Sequence, residues 1–154
     1  MQTITPFLWF DGQAEEAARF YAAIFPDSAI ERIVRNGPGG PGPEGSVLTV
    51  GFRLAGRSFA ALNGGPRFRF NEAVSFAVAC PDQAEIDRLW AALSDGGEPG
   101  VCGWLKDRFG LSWQVVPATL PAMLEEPESA GRVMAALMGM SRIDLAVLER
   151  ARDG

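Results

Sequence analysis

The chain predicts an α+β fold in which two βαβββ modules stand in tandem, followed by a C-terminal helical tail. Three observations carry that expectation. Gln13-Ala14-Glu15 recurs seventy positions later as Gln83-Ala84-Glu85. Each copy follows an apolar, strand-like run (residues 4–10 and 74–80) and opens an amphipathic helix with an aromatic at the same offset, Phe20 and Trp90. Each helix is then followed by further strand-like runs and turn residues. Two similar modules in one chain point to a cleft between halves. The chain contains no histidine, so ordinary metal chemistry is not expected in that cleft.

The elements follow in order. Residues 3–10 read as a strand that is apolar on both faces, which suits burial on both sides. Asp11-Gly12 breaks it and offers a helix N-cap. Ala14, Ala17, Ala18, Tyr21, Ile24 and Phe25 then fall on one helical face, and Pro26-Asp27 ends the helix. Strands follow at 29–34, 47–54 and 57–62, the last two forming a hairpin around Ala55-Gly56. The Gly/Pro segment 36–45 forbids regular structure and reads as a mobile surface loop. Asn63-Gly64-Gly65-Pro66 closes the first module.

The second module opens with a strand at 73–80. Asp82-Gln83-Ala84-Glu85 has the form of a capping box. Ile86, Leu89, Trp90 and Leu93 supply the buried face of the helix, and Gly96-Gly97 stops it. Residues 101–106 and 111–117 read as a hairpin around Asp107-Arg108-Phe109-Gly110. Beyond Pro117 the pattern is helical at 120–125, 129–138 and from about Ser141, where Ile143, Val147, Leu148 and Ala151 share one side. The division is one domain over 1–154, with modules at 1–66 and 72–117 and a tail at 118–154 that packs outside the sheet. Each module alone would leave a sheet face bare, so the pair is expected to close around a shared interior.

Composition narrows the function classes. An apolar fraction of 47% fits a globular protein with a real core. No apolar run approaches the ~20 residues that span a bilayer. The N-terminus does not read as a signal peptide, so a cytoplasmic location is expected. Cys80 and Cys102 lack metal-type spacing and read as buried free thiols. A net charge of −5 without a Lys/Arg cluster argues against nucleic acid.

Two segments carry a resemblance. Thr5-Pro6-Phe7-Leu8-Trp9-Phe10-Asp11-Gly12-Gln13-Ala14-Glu15-Glu16-Ala17, with Phe20-Tyr21 following, resembles the opening of PhnB-like proteins of the vicinal oxygen chelate superfamily. That superfamily also holds glyoxalase I, extradiol dioxygenases and bleomycin- or fosfomycin-resistance proteins. Cys102-Gly103-Trp104-Leu105-Lys106-Asp107-Arg108-Phe109-Gly110-Leu111-Ser112-Trp113-Gln114-Val115-Val116-Pro117 is similar to the signature of the subgroup labelled 3-demethylubiquinone-9 3-methyltransferase domain. Met138-Gly139-Met140-Ser141-Arg142-Ile143-Asp144 resembles its ending. The resemblance implies a glyoxalase-like fold over essentially the whole chain.

Enzymes of the superfamily place four metal ligands, usually His and Glu, on the first and last strands of each module. Carried onto this chain, those positions are Thr5, Ala60, Ser75 and Gln114, with Leu62 an alternative to Ala60. None is a carboxylate, imidazole or thiolate, and neutral oxygen donors hold a transition metal poorly. The expectation is therefore no metal and no cofactor. Strand alternation adds Phe7 and Trp9 beside Thr5, Ala77 beside Ser75, and Ser112 and Val116 beside Gln114. Trp104, Lys106 and Arg53 are rim candidates. The expected ligand-binding set is Thr5, Phe7, Trp9, Ser75, Ala77, Trp104 and Gln114. It suits a planar, uncharged or weakly anionic small molecule, with Trp9 stacking on it and Ser75 and Gln114 orienting it.

Alternatives stand beside these readings. Gln114 fits a ligand carbonyl or a buried amide paired with its neighbours. Phe7 and Trp9 fit ring stacking or core. Trp113 reads as core by parity, and Cys102 lacks a base that would make it a nucleophile. The methyltransferase label finds no glycine-rich strand-to-helix turn to support it. Three functions remain: a metal-free small-molecule-binding protein, an enzyme with a non-metal mechanism drawing on Asp107, Lys106, Arg53 and Tyr21, and a structural or interaction module. The binding protein is the reading adopted. A homodimer is expected, because the apolar run 133–140 would leave an exposed patch on a monomer.

Overall fold

Each module lays one helix across one face of a four-stranded sheet, and the chain does this twice. The computed structural model describes residues 1–154, which divide into two units, Met1–Phe70 and Asn71–Gly154. In the first unit the elements are β1 (Phe7–Phe10), α1 (Ala14–Ile24), β2 (Ala29–Arg35), β3 (Val47–Leu54) and β4 (Arg57–Asn63). The sheet order is β1-β4-β3-β2, with β1 parallel to β4 and the other pairs antiparallel. The second unit repeats the scheme with β5 (Ser75–Cys80), α2 (Gln83–Ser94), β6 (Glu98–Pro99), β7 (Trp104–Lys106) and β8 (Ser112–Pro117), in the order β5-β8-β7-β6. This is the tandem βαβββ architecture that the internal repeat predicts.

The helices bury the residues their spacing singles out. Ala14, Ala17, Ala18 and Tyr21 of α1 are fully buried, and the three alanines leave little side chain to hold the helix off the sheet. Ile86, Leu89 and Leu93 of α2 are buried likewise. Asp82 caps α2 by accepting from the Glu85 N–H at 2.9 Å. The start of α1 differs from expectation. Asp11-Gly12 does not cap it; instead Asn63, at the end of β4, accepts from the Ala14 N–H at 2.9 Å and donates to the Val47 carbonyl at 3.0 Å. A cap from 49 residues away has no local signature.

Other expectations need correction. Only residues 7–10 of the first apolar run pair as a strand, and it is not buried on both sides: Ile4 is 97% and Phe7 64% exposed. β1 is an edge strand, and its pairing with β4 begins at Phe7↔Ala60. The segment 101–106 is not one strand. A two-residue β6 precedes a tight turn at 100–103, in which Cys102 (φ 59°) and Gly103 (φ 80°) are left-handed. A Cβ at Gly103 would lie 2.7 Å from the Val115 carbonyl oxygen and 2.8 Å from Ile143, so only glycine fits there. The Gly/Pro loop 36–45 has no regular element but is organised around the buried Asn36. Its amide donates to Ser46 Oγ at 2.9 Å, and its main chain pairs with Ser46 and Gly45.

The tail forms α3 (Leu120–Glu125), α4 (Ala130–Met138) and α5 (Leu145–Asp153) around its own core of Leu120, Met123, Val133, Leu137, Ile143 and Leu148. The last helix begins at Leu145, four residues later than its apolar pattern suggests, because Asp144 caps it. Gln83 anchors the tail to α2, donating to the Ile143 carbonyl at 3.0 Å and accepting from the Leu145 N–H at 2.8 Å. The run 133–140 is only half a surface patch: Val133 and Leu137 point into the tail core, leaving Met134 and Met138 exposed.

The β7–β8 hairpin hangs on one buried carboxylate. Asp107 Oδ1 accepts from the Phe109 and Leu111 N–H groups at 2.8 and 3.1 Å, and Oδ2 from the Trp113 indole at 2.9 Å. Replacing it with alanine orphans three donors, so Asp107→Ala should lose on the order of 3 kcal/mol in urea unfolding and Asp107→Asn about 1 kcal/mol. Equal losses for the two variants would contradict this account.

Candidate functional site

Pairing in the second sheet sorts its side chains onto two faces. Phe76, Trp113 and Leu105 share the helix side with Val115 and Cys80. The other face carries two cross-strand rows: Ser75, Ser112 and Lys106, then Ala77, Gln114 and Trp104. Gln114 Nε2 donates to Ser75 Oγ at 2.9 Å, which links these two polar groups across the strands. Lys106 Nζ lies 2.5 Å from Glu72 Oε1. That hydrogen bond raises the lysine and lowers the carboxyl from their ordinary values, so both are charged at neutral pH. Lys106 is thus a cation already paired, not a base or an amine nucleophile.

A cavity of about 450 Å³ opens on this face, lined by Pro99, Val101, Trp104, Lys106, Ser112 and Glu72 among others. Ser112 is 1% exposed, and its hydroxyl has no hydrogen-bond partner. A buried hydroxyl without a partner is destabilising by ~1–3 kcal/mol. It is the one side-chain atom of the fold left in this state.

The predicted residues of the first unit sit on their own sheet. Phe7 is opposite Ala60 and Trp9 opposite Leu62, on the face away from α1. Trp9 is engaged: its indole N–H donates to the Gly65 carbonyl at 2.8 Å, and Phe68 meets its ring edge-on at 4.9 Å. Its ring lies so close to Gly64 that a Cβ there would come within 2.4 Å. One side of Trp9 also lines a groove of about 630 Å³ with Asn36, Pro41 and Leu62. Thr5 is exposed, beside a groove of about 410 Å³ with Pro6, Arg57 and Phe59. The structure therefore brings Ser75, Ala77, Trp104 and Gln114 together on one sheet, and Phe7 and Trp9 on the other.

The positions that the resemblance assigns to metal ligands do not fit a metal here. The first unit offers Thr5 and Ala60, and alanine has no donor atom. The second offers Ser75 and Gln114, already bonded to each other. Nowhere do three or more His, Cys, Asp or Glu side chains come together as a metal group. The polar groups named for a non-metal enzyme fare no better. Tyr21 is fully buried on the inner face of α1, Asp107 holds a turn, and Arg53 pairs with Glu31 and Asp27. Reasoning from sequence missed Glu72, which lies in an irregular stretch before β5 and reaches Lys106 only through the fold.

Two sheets of this topology, built from a tandem βαβββ repeat, define a glyoxalase-like protein of the vicinal oxygen chelate class. The family model of 3-demethylubiquinone-9 3-methyltransferase matches residues 2–116. The PhnB protein of Bacillus cereus is 37% identical, with a TM-score of 0.68 over 75% of this chain and 98% of that one. A Pseudomonas aeruginosa protein is 23% identical, with a TM-score of 0.61 over 76% and 97%. The genomically encoded fosfomycin resistance protein of Listeria monocytogenes shares the fold at 15% identity, with a TM-score of 0.56 over 81% and 98%. No curated protein matches the chain. The chain belongs to the 3-demethylubiquinone-9 3-methyltransferase family, as a PhnB-like member of the superfamily. The family match stops at Val116, before the helical tail.

The two thiols should be told apart by alkylation. Burial pushes Cys80 up to about 11, whereas Cys102 is only partly buried. Iodoacetamide at pH 8 should leave Cys80 unmodified in the native protein and label it after denaturation, as read by peptide mass spectrometry. Because the folded state holds this proton more tightly, its contribution to stability is present below about pH 9 and is lost as pH rises towards 11.

Proposed function

We propose that this protein binds a small planar, largely apolar molecule without a metal, on the open face of its second sheet. The observation that carries the reading is the Ser75–Gln114 hydrogen bond at two of the positions where related enzymes coordinate a metal. Around that neutral pair, Trp104 supplies a ring face and Ala77 an apolar floor, while the adjacent cavity provides volume. A few fixed polar groups in an apolar concavity suit recognition of a small molecule. On the first sheet, Phe7 and Trp9 stand on the face away from α1, with Phe7 mostly exposed.

Binding is favoured over catalysis because Lys106 is neutralised by Glu72 and neither Tyr21 nor Asp107 is free to act. Binding is favoured over a purely structural role because the cavity beside Trp104 is not filled by side chains. Methyl transfer is not proposed: the strand-to-helix turns, Asp11-Gly12-Gln13 and Pro81-Asp82, are not glycine-rich cradles. A homodimer and a cytoplasmic setting belong to the same proposal. The exposed Phe7, Val101 and Met138 support the first, and the free thiols support the second.

Elemental analysis of the purified protein should find well under one equivalent of zinc, iron, nickel or manganese per chain. Near-stoichiometric metal that supports ligand binding would sink the reading. In a thermal-shift screen of aromatic metabolites and antibiotics, hits should lose their effect in Trp104→Ala and weaken several-fold in Gln114→Ala. Sedimentation equilibrium at micromolar concentration should give about twice the 16.5 kDa chain mass.

A further inference from the structure

The buried hydroxyl of Ser112 has no partner, yet it stands on the face that carries the cavity, between Ser75 and Lys106 in one cross-strand row. Neighbouring polar groups are taken. Ser75 accepts from Gln114, and Lys106 is bonded to Glu72. A serine hydroxyl both donates and accepts, so the ligand group that complements it best is another hydroxyl. Charge sets the second condition. Glu72 and Glu98 line the cavity with Lys106 as the only cation, a net of one negative charge from two carboxylates and one ammonium. An incoming carboxylate would have to displace Glu72 from Lys106 and face Glu98. An incoming ammonium finds Glu72 already paired and Glu98 exposed to water, where an ion pair contributes little. Trp104, Pro99 and Val101 supply the apolar walls.

From this geometry we infer that the cavity takes an uncharged aromatic compound bearing a hydroxyl, with the ring against Trp104 and the hydroxyl on Ser112. The inference rests on the binding function proposed above and adds the ligand class.

Equilibrium dialysis with four probes of one shape tests it: 2-naphthol, naphthalene, 2-naphthoate and 2-naphthylmethylamine. At pH 7 the naphthol is uncharged and should bind about tenfold tighter than each of the other three, the worth of one buried hydrogen bond. Ser112→Ala should bring naphthol down to the naphthalene level and leave naphthalene unchanged. Because it removes an unpartnered polar group, this variant should fold at least as stably as the parent. Glu72→Gln, which frees Lys106, should raise naphthoate affinity about tenfold. Tighter parent binding of the naphthoate or the amine, or naphthol binding indifferent to Ser112→Ala, overturns the assignment of ligand class. If screened ligands of another class still depend on Trp104 and Gln114, the binding function stands and only the class falls. If no probe and no screened compound binds, both fall.

Discussion

Parallel pairing of the first and last strand of each module is the constraint on which the rest depends. Two parallel strands cannot be joined by a tight turn, so a helix must cross over between the first strand and the other three. That helix covers one face of the sheet. In the second unit, the same parallel ladder puts Ser75 opposite Ser112 and Ala77 opposite Gln114. The polar character of the open face therefore follows from register. A slip of one residue would send Trp113 and Phe76 to that face and bury Gln114 under α2.

Polar satisfaction then separates scaffold from site. Asp107 accepts three hydrogen bonds, Asn36 organises its loop, and Gln83 ties the tail to α2. These buried or half-buried groups have all found partners within the protein and stabilise its shape. Ser112 has not. In a fold that otherwise satisfies its buried side chains, Ser112 beside the cavity is the exception, and the proposed ligand class rests on it.

Membership of the family and the chemistry of the site are separate matters. The B. cereus PhnB protein and this chain share a fold and 37% identity over 75% of this chain. The family description names a methyl transfer for which this chain shows no cradle, and the positions that the resemblance assigns to metal ligands carry Thr5, Ala60 or Leu62, Ser75 and Gln114. One scaffold hosts many functions because the open face can change its side chains while the helix-covered face keeps its packing.

The sequence by itself determined the repeat, the strand and helix order, the helix faces, and the shared strand face of Ser75 and Ala77. Each of these rests on local periodicity, and periodicity is written into neighbouring residues. It also carried Trp113 to the helix-packed face by parity alone. The tertiary structure decided what depends on long-range contact. It supplied Asn63 as the cap of α1 and shortened the first strand where the ladder ends. It broke the 101–106 run at a left-handed turn that Ile143 and Val115 crowd. It also engaged Trp9 with the 64–68 segment and set Glu72 against Lys106. A lysine's charge can be read from sequence, but its availability depends on which carboxylate the fold brings within 3 Å.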